Sequence, residues 1–205
     1  MRRATFAFIF LTVPLDMLAL GIIAPVLPKL IIVLEGGDKA SAAAMYGLFG
    51  TVWAAMQFVF APLLGALSDR FGRRRVILLS CLGLGLDYIV MAVAPTVGWL
   101  FVGRVISGIT ASSFATSFAY IADVTPSDER AGKFGMLGAA FGLGFILGPA
   151  VGGLLGGIGL RAPFWAAGAL SLVGALYGTF VLPESLPVER RARFEWRTTS
   201  CRACS

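Results

Sequence analysis

Three ionisable side chains lie deep inside apolar stretches of this sequence: Asp16, Asp87 and Arg104. A charge at the centre of a lipid bilayer costs about 2.5–3.5 kcal/mol on insertion scales, so such residues usually face a cavity and often serve function. One interpretation is a path for an organic substrate formed by these residues with Gln57. The alternative is structural: Asp16 or Asp87 pairs with Arg104 as a buried clamp, and Gln57 bonds two helices together.

More charges are concentrated in the segment Gly65-Ala-Leu-Ser-Asp-Arg-Phe-Gly-Arg-Arg-Arg75, between two long apolar runs. We expect Gly65 to let the flanking helices approach each other, and Gly72 to supply the positive φ of a tight turn. Four arginines in so short a loop predict that it lies on the cytoplasmic side of a membrane.

The acidic and basic residues of this loop have complementary expected roles. Asp69 is an acceptor at the inner surface, and Arg70 and Arg73 are placed to bond carboxylates such as Asp123. We therefore predict a charge cluster of Asp69, Arg70 or Arg73, and Asp123. In the alternative interpretation, the arginines serve only to fix the topology of the chain and to bind lipid phosphates.

A third set of residues would shape a helix rather than carry charge. Four glycines recur every fourth residue on one predicted helix face: Gly144, Gly148, Gly152 and Gly156. Small residues at this spacing let another helix backbone approach closely. Pro149 should bend the same helix, because it removes one backbone hydrogen bond.

The composition indicates a membrane protein. Of 205 residues, 58% are hydrophobic and 14% are charged, whereas soluble domains are about 25% charged. A spanning helix needs roughly 20 mostly apolar residues. Six segments meet this length, at about residues 5–27, 44–67, 76–94, 99–122, 134–156 and 163–182. The predicted fold class is all-α, a six-helix transmembrane bundle.

The distribution of cations predicts the topology. Of 17 Lys and Arg residues, thirteen fall in the N-terminus, the loops after the second and fourth spans, and the tail, and three fall in the other loops. Positive charge is retained in the cytoplasm. We therefore predict a multi-pass protein of the inner (plasma) membrane with both termini cytoplasmic. The placement of the charges favours a lipid bilayer over nucleic acid as the partner.

The sequence predicts no metal centre, no bound cofactor and no enzymatic site. Cys201 and Cys204 form a C-x-x-C pair in the tail, but a zinc site needs two further ligands at suitable spacing. The chain has no histidine to supply them.

Two parts of the chain repeat at an offset of 87 or 88 residues. Gly47-Leu-Phe-Gly50 matches Gly135-Met-Leu-Gly138, and Ala61-Pro-Leu-Leu-Gly65 matches Gly148-Pro-Ala-Val-Gly152. The same offset relates Asp16 to Arg104. Three helices repeated with inverted topology are how some transporters are built.

The loop motif and three other segments resemble the major facilitator superfamily. Asp16 through Pro25-Val-Leu-Pro28 resembles the first helix of drug exporters, and Arg104-Val-Ile-Ser-Gly108 resembles the fourth-helix motif. The segment Gly144-x-x-x-Gly148-Pro149-x-x-Gly152-Gly153 resembles the antiporter motif, and Gly65 to Arg73 with Asp123 resembles the gating motif. Leu182-Pro-Glu-Ser185 and Tyr120-Ile-Ala-Asp-Val-Thr125 are similar to segments of tetracycline/proton antiporters.

This resemblance implies exchange of a drug for protons. The substrate of these antiporters is a magnesium chelate of tetracycline, and the proton gradient drives its export without a resident cofactor. The resemblance implicates Asp16 and Asp87 in this exchange and Arg104 in proton transfer. Partners would be the bilayer, the drug and protons.

The length departs from the family pattern of twelve spans in two halves. We expect residues 1–185 to form the N-terminal half of a major facilitator domain as a 3+3 inverted repeat, and residues 186–205 to be a disordered cytoplasmic tail. A truncated gene product is one explanation, and a partner that supplies the second half is another. The alternative function is a non-transporting remnant or subunit.

Overall fold

In the computed structural model, residues 2–111 and 113–186 are described, and these residues form α-helices without strands. The helices are α1 Arg2–Ile23, α2 Leu27–Leu34, α3 Lys39–Phe71, α4 Arg73–Val93, α5 Val97–Thr110, α6 Ser113–Val124, α7 Arg130–Ile158 and α8 Ala162–Val181. They provide six membrane-length spans, because α1 with α2 and α5 with α6 each form one. The predicted six-helix fold is confirmed.

The first span differs from its prediction at Pro25 and Pro28. The predicted first span ends at about residue 27, between these two prolines. Instead, α1 ends at Ile23, and α2 restarts at Leu27 and continues the span to Leu34. The reason is that proline is tolerated in the first turn of a helix, so Pro28 begins a new helix just after the first has ended.

The second span begins earlier than predicted. α3 starts at Lys39 rather than near Ala44, because Asp38 caps it: its Oδ1 accepts a hydrogen bond from the Ala40 N–H at 2.9 Å. A side-chain acceptor at this position satisfies one of the free N–H groups of the first turn. α3 therefore reaches from Lys39 to the loop motif.

The fourth span is interrupted, where the sequence predicted one continuous helix. α5 ends at Thr110 and α6 begins at Ser113. Thr110 lies 87 residues after Ile23, the end of α1, so the two interruptions fall at the same position of the internal repeat. The repeat is thus present in the helix breaks as well as in the motifs.

The packing of the helices follows the same repeat. α1 packs against α7 and α8, while α5, its counterpart, packs against α3 and α4. α4 and α8, which are counterparts of each other, also form an extensive contact. Each of these contacts thus has a counterpart that the repeat relates to it, as expected for a 3+3 inverted repeat.

Two apolar clusters hold the bundle together, one towards each end. One contains Ala19, Leu84 and Met91, and the other contains Val13 and Cys81. We call the end at which Gly72 joins α3 to α4 the basic end. The predicted tail beyond Leu186, with Cys201 and Cys204, lies outside the described residues.

Candidate functional site

A cavity of about 160 Å³, partly open to the surface, is lined by residues of α1, α3, α4 and α7. Its polar lining comes from three side chains, Asp16 of α1, Gln57 of α3 and Tyr88 of α4. The rest is mainly apolar or aromatic, and includes Trp53 and Phe141. The structure therefore brings two of the four predicted path residues, Asp16 and Gln57, to one cavity.

The Asp16 carboxylate is buried and has a thiol partner. The Cys81 Sγ–H of α4 donates to Asp16 Oδ2 at 3.6 Å. Asp16 does not form an ion pair with Arg104 among the described residues, so the clamp alternative does not apply to it. Nothing in the spacing of the two residues in the sequence indicates the Cys81 contact.

Gln57 lines the cavity and also bonds two helices together. Its Nε2 donates to the carbonyl oxygen of Ala111 at 3.1 Å. Ala111 follows directly after the last residue of α5, where carbonyl groups lack an intrahelical partner. Gln57 thus connects α3 to the break in the fourth span. It bonds two helices together, as the structural interpretation predicted.

Asp87 and Arg104 form a buried ion pair between α4 and α5. Arg104 Nη2 lies 2.7 Å from Asp87 Oδ2, and their side chains are 9% and 0% exposed. Neither residue lines the cavity, although Tyr88 next to Asp87 does. Asp87, and not Asp16, therefore forms the predicted buried clamp with Arg104. A role of this pair in a proton path stays a prediction.

Arg73 organises the charges at the basic end. Its Nη1 lies 2.8 Å from Asp69 Oδ1, and its Nε lies 2.8 Å from Asp123 Oδ2. The predicted cluster is therefore present, with Arg73 as its cation. Arg70 has a different contact: its guanidinium lies over the Phe71 ring, 5.2 Å from the centroid.

Of the two predictions for glycines of the loop motif, the one for Gly72 is confirmed and the one for Gly65 is not. Gly72 has φ 102°, as predicted for a tight turn. The prediction for Gly65 is wrong, because a methyl group added there would meet no atom within 4 Å. The close approach of α3 occurs elsewhere, where Gly108 of α5 contacts Trp53 and Met56 of α3.

Glu184, just after α8, is a contact residue that the sequence analysis did not assign. Its Oε1 accepts the backbone N–H of Arg73 at 2.8 Å, at the start of α4. A carboxylate at a helix N-terminus satisfies free N–H groups and opposes the positive end of the helix dipole. Arg74 adds a bond from Nη2 to the Thr179 carbonyl. The first turn of α4 is therefore fixed to the end of α8.

The glycine face of α7 lies close to another helix backbone, as predicted, and this helix is α1. A methyl group at Gly148 would lie 2.5 Å from Gly21 Cα, and one at Gly144 would lie 2.9 Å from Met17 Cβ. Gly152 faces the backbone of Ile22. Gly153 does not share in this contact, since a methyl group there would meet no atom within 4 Å.

Gly156, the fourth glycine of this face, lies near Val26, and the bend at Pro149 stays a prediction. Among the described residues there is no group of three or more acidic or cysteine side chains able to hold a metal.

Comparisons with known proteins agree with this geometry. The model of the Major Facilitator Superfamily matches residues 9–202. The chain belongs to this superfamily. It is 48% identical over 180 residues to "Tetracycline resistance protein, class C" of Escherichia coli, covering 88% of this chain and 45% of that protein. It is 31% identical over 198 residues to "Multidrug resistance protein 2" of Bacillus subtilis (strain 168), covering 96% and 48%.

A solved structure has the same architecture. The human organic anion transporter MFSD10 (TETRAN) superposes with a TM-score of 0.82 at 30% identity, over 93% of this chain and 50% of that one. The chain thus spans about half the length of the relatives that it matches. It is a multi-pass membrane protein of a transporter family rather than an enzyme, and its resemblance to tetracycline resistance proteins is confirmed.

Proposed function

We propose that this chain forms one half of a proton-coupled drug antiporter of the tetracycline type. The observation that carries the proposal is the cavity in which the Asp16 carboxylate lies beside Gln57 and Tyr88. The 48% identity to a tetracycline resistance protein supports the choice of drug. In the proposed orientation, the basic end faces the cytoplasm, the termini are cytoplasmic and the membrane is the inner membrane.

In this proposal, Asp16 is the residue at which drug and proton are exchanged. Among the described residues that line the cavity its carboxylate is the one acidic group, so it attracts the cationic magnesium that the drug brings with it as part of the substrate. The amide of Gln57 and the hydroxyl of Tyr88 offer hydrogen bonds, and Trp53 and Phe141 offer aromatic faces. Protonation of Asp16 removes the negative charge and releases the drug.

In this proposal, the Asp87–Arg104 pair links proton uptake to a movement of α5. Because the two groups hold each other in a buried site, protonation of Asp87 would leave Arg104 without its counter-charge. An uncompensated buried charge is strongly unfavourable, so α5 would shift relative to α4. This movement would connect proton uptake to the cavity through Tyr88.

The other motifs would control access to the cavity. At the basic end, Arg73 bonds Asp69 of α3 and Asp123 of α6, and these ion pairs fix the loop between α3 and α4 to the end of α6. The Gly148 contact between α7 and α1 excludes water and ions from the space between these helices. No resident cofactor takes part, and the proton gradient is the driving force.

A second candidate function is a non-transporting subunit or remnant that must pair with a separate second half. It rests on the described residues, which form six membrane-length spans. Alternating access rocks two halves around a site at their interface, and one half offers one wall of that site. We therefore infer that residues 1–205 do not export drug alone.

Resistance of a tetracycline-sensitive host that lacks other pumps tests both functions. The chain would be expressed alone, and together with the part of the class C protein that lies outside the matched region. We expect resistance with the pair and none with the chain alone. Asp16→Asn should abolish the resistance, whereas the same change at the exposed Asp128 should have no effect. Efflux by the chain alone that is lost in Asp16→Asn would contradict the need for a second half. A pair without resistance would contradict the antiporter proposal.

A further inference from the structure

A second cavity, of about 350 Å³, is open to the surface near the basic end, between α3 and α4. These two helices are joined by Gly72 alone, yet both pack more extensively against α5 than against each other. They diverge from the loop, and a groove separates them. Its apolar walls are formed by Leu64, Leu67, Phe71, Val76 and Leu79.

Of the described residues that line the groove, one is charged: Arg75, in the first turn of α4. The other arginines of the loop are engaged: Arg73 in ion pairs, Arg74 with the Thr179 carbonyl, and Arg70 over the Phe71 ring. Arg75 is exposed, and no described residue forms an ion pair or hydrogen bond with it. A guanidinium is therefore available beside an apolar groove.

The interior of the groove offers little to a polar ligand. Two hydroxyl side chains line it, and both are engaged: Thr110, on the α5 side, is bonded to the Ile106 carbonyl at 3.0 Å, and Ser80 is buried and has a partner. Leu79 is 65% exposed, in a helix apolar enough to cross a membrane. Such a surface suits a hydrocarbon chain, whereas a soluble substrate needs several placed polar groups to fix its orientation.

We propose that this groove binds an anionic phospholipid, with one acyl chain between α3 and α4 and the phosphate on Arg75. A guanidinium matches phosphate geometry and bonds it through two parallel N–H groups. The acyl chain alone gives no selectivity, because lipid tails are as apolar as leucine. Selectivity comes from charge. The neighbouring arginines of the basic end oppose the ammonium group of a zwitterionic lipid and favour a headgroup with net negative charge.

The groove and the headgroup position can be tested on the full chain, without any transport measurement. The purified chain in mild detergent would receive phosphatidylglycerol and phosphatidylcholine with the same acyl chains, and native mass spectrometry would count the bound lipids. Arg75→Gln removes the phosphate contact, and Leu79→Trp fills the groove. Arg130→Gln is the charge control, since Arg130 is an exposed cation at the same end, outside the groove, whose Nε donates to the Thr125 carbonyl oxygen. Leu79→Phe replaces Leu79→Trp if that variant does not fold.

We expect the unmodified chain to retain phosphatidylglycerol in preference to phosphatidylcholine. Arg75→Gln should weaken this binding about five-fold, which corresponds to the roughly 1 kcal/mol contributed by one basic residue near anionic lipid. Arg130→Gln should bind as the unmodified chain does, and Leu79→Trp should bind less of both lipids.

Four results would overturn the proposal. The first is unchanged binding in Arg75→Gln, and the second is an equal loss in Arg130→Gln, which would indicate a general charge effect. The third is displacement of phosphatidylglycerol by glycerol phosphate, which would indicate a headgroup site without an acyl chain. The fourth is a chain dimer that Leu79→Trp dissociates, since a second copy would then occupy the groove.

Discussion

The contact between α1 and α7 can be perturbed by a single methyl group at Gly148. In Gly148→Ala, the new Cβ would lie 2.5 Å from Gly21 Cα. Carbon atoms in contact prefer about 3.5–4.0 Å, so the two backbones would have to separate by roughly 1 Å. Because both atoms belong to helix backbones, no side-chain rotation relieves the clash. Overpacking of this kind typically costs about 1–3 kcal/mol.

Gly153→Ala is the matched control on the same helix. The added methyl group there meets no atom within 4 Å. Both substitutions gain the helix propensity of alanine over glycine, about 0.8–1.0 kcal/mol. The difference between the two variants therefore isolates the packing term, with Gly148→Ala the less stable by about 1–3 kcal/mol. For a chain of this size the difference corresponds to roughly 2–12 °C in melting temperature.

Thermal unfolding can be followed through Cys81, which is 2% exposed and reacts with a thiol dye once the bundle opens. Cys201 and Cys204 would first be replaced by serine, so that one thiol reports. Equal melting temperatures for the two alanine variants would refute the close contact of α1 with α7. Greater stability of Gly148→Ala than of Gly153→Ala would refute it as well.

Three further predictions concern the charges. Asp87→Ala and Arg104→Ala should each destabilise the bundle by about 3–5 kcal/mol, because each leaves an unpaired buried charge. The double variant should lose less stability than the sum of the two single losses. Additive losses in thermal unfolding would contradict the pairing. Glu184→Gln should lower stability by about 1 kcal/mol through loss of the negative charge at the start of α4, and an unchanged melting temperature would count against this contact. Cysteines at positions 38 and 74, in place of Asp38 and Arg74, should react with an impermeant reagent from the outside and the inside of the cell, respectively; labelling of position 74 from outside would reverse the proposed topology.

The sequence predicts the number of spans well, because apolar length is a property of the chain itself. It predicts their interruptions poorly. The predicted first span ends beside Pro25 and Pro28, but proline stops one helix and starts the next equally well. The break after Thr110 has no proline to mark it, so its one sequence signal is its position in the repeat, 87 residues after Ile23.

Contacts between spans depend on which helices are neighbours, and hydropathy does not carry that information. The sequence left open whether Asp16 or Asp87 pairs with Arg104. The structure selects Asp87 because α5 packs against α4. For the same reason, the predicted close approach of another helix is confirmed at Gly148 and wrong at Gly65. Gly148 faces the backbone of α1, whereas α3 meets α5 at Trp53, twelve residues before Gly65.

We propose that drug is exchanged for protons at Asp16. Everted membrane vesicles that contain the chain together with the remaining part of the class C protein test it most directly, with tetracycline uptake and the acidity of the lumen recorded together. We predict that addition of tetracycline with magnesium releases protons from the lumen, that an uncoupler stops the uptake, and that Asp16→Asn abolishes both signals while Asp128→Asn retains them. Uptake that persists with the uncoupler, or full proton release in Asp16→Asn, would contradict the claim.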